Sequence, residues 1–122
     1  MGFVKAEKED DRELSSMVAM GKIKELAGRI AKEFKPERIV LFGSYATGTP
    51  TVDSDVDLLV VMPFDGRSID ESVKIRLALR PAFPLDLLIR TSEMIQERIR
   101  QGDTFLSDIM ENGKVLYAAD HV

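Results

Sequence analysis

Asp55-Val-Asp57 sets two carboxylates, one residue apart, where an apolar run, Leu58-Leu-Val-Val-Met62, enters the core. Val56 to Met62 has the length and β-branched content of a strand, and Pro63 closes it. Side chains alternate along a strand, so Asp55, Asp57, Leu59 and Val61 share one face and Val56, Leu58 and Val60 the other. Two like charges this close repel, and at least one carboxyl rises in pKa unless a cation lies between them. Mg²⁺ takes oxygen ligands and keeps some waters, so a carboxylate pair plus substrate phosphates completes its shell.

The rest of the chain says what surrounds that strand. Leu14, Val18, Ile23, Leu26, Ala27, Ile30 and Phe34 recur at helical spacing from Glu13 to Phe34, and Pro36 stops the pattern. Arg38 to Phe42 reads as a first strand, bounded by Pro36 and Gly43. Asp65-Gly66 supplies a turn, and Ser68-x-x-Glu71 has the capping-box pattern for a helix running to Arg80. After Pro81 and Pro84, Leu85 to Ile89 forms a third strand. Thr91 or Ser92 caps a helix carrying Ile95 and Ile99, and Asp103 starts another carrying Phe105, Leu106, Ile109 and Met110. Asn112-Gly113 stops it, and Val115 to Tyr117 is a short final strand. This order predicts an α/β (α+β) fold, a small mixed β-sheet flanked by helices.

Two further features carry chemistry. Asp86 is a lone acid inside Leu85-Asp-Leu-Leu-Ile89, where an unpaired buried charge is costly. If the second and third strands are neighbours, Asp55, Asp57 and Asp86 converge. Gly43, after Ile-Val-Leu-Phe, permits a tight turn and close backbone approach. Ser44 adds a hydroxyl and starts Tyr45-Ala-Thr47, one helical turn whose free N–H groups can face an anion. Gly-Ser after a strand is also a common plain turn, and acids at strand ends are often merely solvated. This is not a Walker loop, because Gly-Lys-Ser/Thr is missing.

The 122 residues suit one domain, with residues 1–12 as a solvated lead-in and 13–122 as the folded unit. Seventeen basic against 21 acidic residues give a charge of −4, which argues against broad phosphate-backbone binding. Cysteine is absent, closing disulfide and thiolate-metal readings. The opening MGFVKAEKEDDREL has no apolar run, so no signal peptide or membrane span is expected and the cytoplasm is the expected compartment. His121 reads as a tail residue, and the methionines as core filler.

Phe42-Gly43-Ser44, a spacer, Asp55-Val56-Asp57-Leu58 and then Asp86 on a later strand form a pattern that resembles the minimal nucleotidyltransferases of the DNA polymerase β-like superfamily. The Thr91-Ser-Glu helix start and Glu111-Asn-Gly-Lys-Val-Leu-Tyr117 are similar too, so the likeness runs from Ile23 to Tyr117. One departure is Thr47, where many members carry a basic residue; Arg76, Arg80 or a partner's side chain are the candidates to replace it.

The resemblance implies the polymerase β-like palm fold and transfer of a nucleoside monophosphate from ATP to a hydroxyl. It implies two Mg²⁺ ions held by Asp55, Asp57 and Asp86, with Gly43, Ser44 and Tyr45 at the nucleotide. Free-standing minimal members resemble the antitoxin half of toxin–antitoxin pairs, whose partner is an all-helical HEPN protein modified on a tyrosine. Such a protein works in a homo- or hetero-oligomer, off the membrane and without gripping nucleic acid directly. The competing readings are a non-catalytic module that silences its partner by covering it, and a transferase acting on a small molecule such as an antibiotic.

Overall fold

A computed structural model describes residues 17–120. The elements are α1 (Met20–Phe34), β1 (Arg38–Phe42), α2 (Ser44–Thr47), β2 (Val56–Val61), α3 (Ser68–Leu79), β3 (Leu85–Arg90), α4 (Ser92–Arg100), α5 (Thr104–Asn112) and β4 (Lys114–Ala118). The strands form one sheet in the order β3-β2-β1-β4. β1 runs antiparallel to both β2 and β4, whereas β2 and β3 are parallel. A parallel pair needs a crossover, and α3 supplies it. The expected mixed sheet is therefore present.

Side-chain alternation divides the core in two. One cluster gathers Ile39, Leu41, Val56, Leu58, Val60, Leu85, Leu87 and Ile89 under α1 and α3. The other gathers Val40, Leu59 and Val61 with Ile95 of α4 and Leu106 and Ile109 of α5. Leu58 and Leu59 are both fully buried, one on each side of the sheet. Leu58→Ala and Leu59→Ala should therefore each cost about 2–5 kcal/mol in denaturant unfolding. A near-neutral Leu59→Ala would mean that α4 and α5 do not cover that face.

Two helix starts differ from the expectation. α1 begins at Met20, not Glu13: Ala19 is extended (φ −69°, ψ 142°), and the N–H of Val18 donates to the Tyr45 hydroxyl at 3.0 Å instead of joining a helix. Leu14, the lead-in and His121 lie outside the described residues. Ser68 is the first residue of α3, not its cap; Arg67 takes the cap position without a side-chain bond. The Ser68 hydroxyl instead accepts from Arg90 Nη1 at 3.1 Å, so a tertiary contact displaces the local one. Thr91 and Asp103 cap α4 and α5 as read, accepting from the N–H groups of Met94 (3.1 Å) and Leu106 (3.0 Å).

β3 lies at an edge of the sheet, but its outward carbonyls are occupied. Ser72 Oγ donates to the carbonyl of Leu87 at 3.3 Å, Arg76 to that of Leu85 and Arg90 to that of Ile89. Among the described residues, no helix is long and apolar enough to cross a membrane.

Candidate active site

The register sets the site. Phe42 of β1 stands opposite Asp57 of β2, and Asp57 stands opposite Asp86 of β3. With strands about 4.8 Å apart, the two acids are direct neighbours on the same face of the sheet. Asp55 precedes them by two residues at the mouth of β2. Burial, then the charge of Asp86, then that of Asp55 push the Asp57 carboxyl above the usual carboxylate range. Both neighbours thus bear electrostatically on Asp57, Asp86 from the adjacent strand and Asp55 from two residues earlier in the chain.

The environment of Asp86 departs from the expectation. Its side chain is exposed, while Leu85 and Leu87 on either side are buried. Alternation sends its flanking leucines into one core cluster and Asp86 to the opposite face, so no burial cost applies to it. What sets it apart is its position beside Asp57.

Gly43 lies against this row. Its φ of 73° and ψ of −158° belong to a region that side chains other than hydrogen rarely adopt. A Cβ there would overlap the Asp57 carboxylate. The turn thus brings backbone into contact with the acid, and α2 follows it directly. The N–H groups of Ala46 and Thr47 return to the carbonyl of Gly43, at 3.1 and 3.2 Å. Those of Ser44 and Tyr45 lead the helix, where no intrahelical acceptor exists.

Tyr45 itself is turned away: its ring is buried in the core beneath α1, and its hydroxyl holds Val18. Only its backbone N–H faces the turn's open end. Thr47 closes the turn, its hydroxyl bonding the Ser44 carbonyl (3.2 Å) and the Thr49 hydroxyl (2.9 Å). Of the two candidate replacement cations, Arg76 is tied to the Leu85 carbonyl, whereas Arg80, at the left-handed cap of α3 with φ 46°, is exposed.

The sequence reading placed Phe105 on the last helix and missed it as part of the surroundings. It is 56% exposed, and its ring meets that of Phe42 edge-on with centroids 5.7 Å apart, next to Asp57. Phe105 also precedes the buried Leu106 directly in α5, so helical periodicity marks only one of the two as core.

The donor set fits a hard divalent cation. Carboxylate oxygens are what Mg²⁺ takes, and the mutual repulsion at Asp57 is what a dication relieves. Among the described residues, no three His, Asp or Glu side chains stand as a group that could hold a metal ion, so Asp57 and Asp86 are paired by register but the expected trio with Asp55 does not close into one. Water and substrate phosphate would have to complete the shell, which suits Mg²⁺.

The raised Asp57 pKa has a stability consequence. The folded protein holds this proton more tightly than the unfolded chain, so stability falls as pH rises from the ordinary carboxylate range through the raised value. Asp57→Asn should therefore melt higher than the parent at neutral pH in EDTA. The gain should vanish in acid and shrink when Mg²⁺ is added. A thermal melt series across pH checks it; a lower-melting variant at neutral pH would remove the repulsion argument.

This geometry has relatives. Residues 23–116 match the nucleotidyltransferase domain. Over 98 residues the chain is 32% identical to "Putative protein adenylyltransferase MJ0604" of Methanocaldococcus jannaschii, covering 78% of this chain and 94% of that protein. Its fold resembles a crystal structure of a nucleotidyltransferase, so assigned putatively, from Sulfolobus solfataricus, with TM-score 0.57, 19% identity and coverage of 82% of this chain and 80% of that one. It also resembles a chain of a toxin–antitoxin crystal structure with AMP-PNP, with TM-score 0.52, 24% identity and coverage of 80% and 75%. The sheet with its acid row, the Gly-Ser turn and the match over most of the chain place this protein in the nucleotidyltransferase domain family, as a nucleotidyltransferase.

Proposed function

We propose that residues 13–122 transfer AMP from ATP to a hydroxyl of a partner protein, a tyrosine of an all-helical HEPN toxin, as the cytoplasmic antitoxin of the pair. The observation that carries this reading is the row Asp57–Asp86 with Gly43 packed against it, which joins an acid pair to a backbone turn fit for phosphate. The relative named for protein adenylyl transfer supports a protein acceptor, and the toxin–antitoxin structure with AMP-PNP supports both the setting and ATP.

Asp55 and Asp57 would hold Mg²⁺ at the triphosphate, and Asp86 would share an ion on the acceptor side. Two bound Mg²⁺ ions would neutralise phosphate charge and make the acceptor hydroxyl more acidic. Gly43 and the N–H groups of Ser44 and Tyr45 bind the terminal phosphates and hold the leaving group. Asp86 orients the acceptor hydroxyl and accepts its proton. The hydroxyl oxygen then bonds to the α-phosphorus, the bond from that phosphorus to the pyrophosphate oxygen breaks, and pyrophosphate departs. Positioning and charge stabilisation supply most of the rate, as in other phosphoryl transfers.

Incubation with α-labelled ATP, Mg²⁺ and the toxin should label a tyrosine of the toxin, and EDTA should prevent it. No label on the toxin under conditions where the protein binds AMP-PNP would overturn the acceptor assignment. A second reading, silencing by contact alone, draws on Ile69, Val73 and Leu77, which line the outer side of α3 and are 63%, 47% and 67% exposed. The Asp55→Ala, Asp57→Ala double variant decides between them: neutralisation in cells that survives the double substitution favours contact.

A further inference from the structure

The face of β3 that carries Asp86 continues beyond the acid row. Leu88 and Arg90 follow on the same side, and with α4 and α5 they border a cavity of about 400 Å³. Leu88, Met94 and Phe105 give it apolar walls, while Arg90, Arg98 and Asp103 supply its charges. Asp103 is already committed. One of its oxygens caps α5 through Leu106, and the other accepts from Arg98 Nε at 3.3 Å.

Arg90 spends Nη1 on Ser68 and the Ile89 carbonyl. Among the described residues it is in no ion pair. Burial and the charge of Arg98 both lower its pKa, and Asp103 offsets them only in part. Two guanidiniums thus share a partly apolar groove with one carboxylate between them. That surplus calls for an anion from outside, and planar guanidinium forks favour a carboxylate or phosphate.

The location says whose anion it is. Gly43 lies across the sheet, on the β1 side of Asp57, whereas the groove opens along β3, on the Asp86 side. Phosphates at the turn and an occupant of the groove would approach the acid row from opposite sides. Asp86 and Arg90 are four residues apart on one strand, about 13 Å at 3.3 Å per residue. An extended polypeptide covers that distance in about four residues.

We propose that this groove docks the acceptor, taking an extended acidic stretch of polypeptide whose carboxylate pairs with Arg90 and Arg98 while its hydroxyl reaches Asp86. The proposal rests on the protein-acceptor reading above and adds to it a sequence requirement. A nucleic-acid strand fits less well: it offers phosphates in series, and the groove has two cations beside an acid on a protein of net charge −4.

The test uses two labelled peptides with a single tyrosine flanked on both sides, about four residues away, by glutamates or by glutamines. In low salt the glutamate peptide should bind about five- to tenfold more tightly by fluorescence anisotropy. Arg98→Gln and Arg90→Gln should each remove most of that preference, with binding of Mg²⁺ and AMP-PNP unchanged as the check on folding. Arg98 is a surface residue whose loss leaves the core intact, so it keeps the test usable if Arg90→Gln fails to fold.

Equal affinity for the two peptides, a preference unchanged in Arg98→Gln, or tighter binding of a short oligothymidylate would each overturn the groove assignment. Transfer of label from ATP, run in parallel, separates the two readings. Glutamate preference without transfer supports the groove and counts against the chemistry. Transfer without glutamate preference does the reverse.

Discussion

Asp57→Ala should lower the rate of nucleotidyl transfer by at least about 10²–10³-fold, the loss expected when one charge-stabilising group is removed from a transition state. Asp57 is central to the row: it is opposite Asp86, follows Asp55 and touches the Gly43 turn. Asp86→Ala should cause a comparable loss but leave AMP-PNP binding nearly intact, because Asp86 stands on the side away from Gly43. Asp53→Ala is the internal control, since Asp53 is exposed in the loop before β2. Single-turnover transfer and nucleotide titration measure all three. Full transfer by Asp57→Ala would end the assignment of the acid row, and a large loss in Asp53→Ala would shift it.

Gly43→Ala should be nearly as damaging, through shape and not charge. The backbone at φ 73°, ψ −158° alone penalises a side chain by about 1–3 kcal/mol. The added methyl would also run into the Asp57 carboxylate, so either the turn or the acid must move. The folded fraction of this variant should therefore melt lower and transfer poorly even below its melting temperature. Gly48→Ala separates the two effects. Gly48 also has positive φ, 78°, but nothing lies within 4 Å of a Cβ there. It should lose some stability and keep its transfer rate. Equal activity in the two glycine variants would mean that the contact with Asp57 is unimportant.

Much of this was legible in the chain because it depends on local rules. Alternation alone put Asp57 on the face of Leu59 and Val61, and β1, β2 and the caps at Thr91 and Asp103 stand where turn and capping residues mark them. What failed or stayed conditional depended on distant partners. Nothing local states that β3 lies parallel to β2 with Asp86 beside Asp57, and apolar flanks suggested burial for a side chain that faces outward. Ser68 has the residues of a capping box, yet Arg90 takes its hydroxyl. Arg76 resembles a spare cation near a phosphate site, but it is bound to a backbone carbonyl. Tyr45 stands beside the turn in sequence, and a hydrogen bond across 27 residues fixes it in the core instead.

The side chains of Ser72, Arg76 and Arg90 fasten down every outward carbonyl of β3 from Leu85 to Ile89. A visiting chain therefore cannot be zipped on there as a fifth strand, since the ladder's acceptors are spoken for. Whatever docks near Asp86 must be read by its side groups instead of its main chain, which makes recognition on that flank a matter of sequence. Among the described residues, the opposite rim of the sheet, at β4, is the margin where main-chain pairing could extend it.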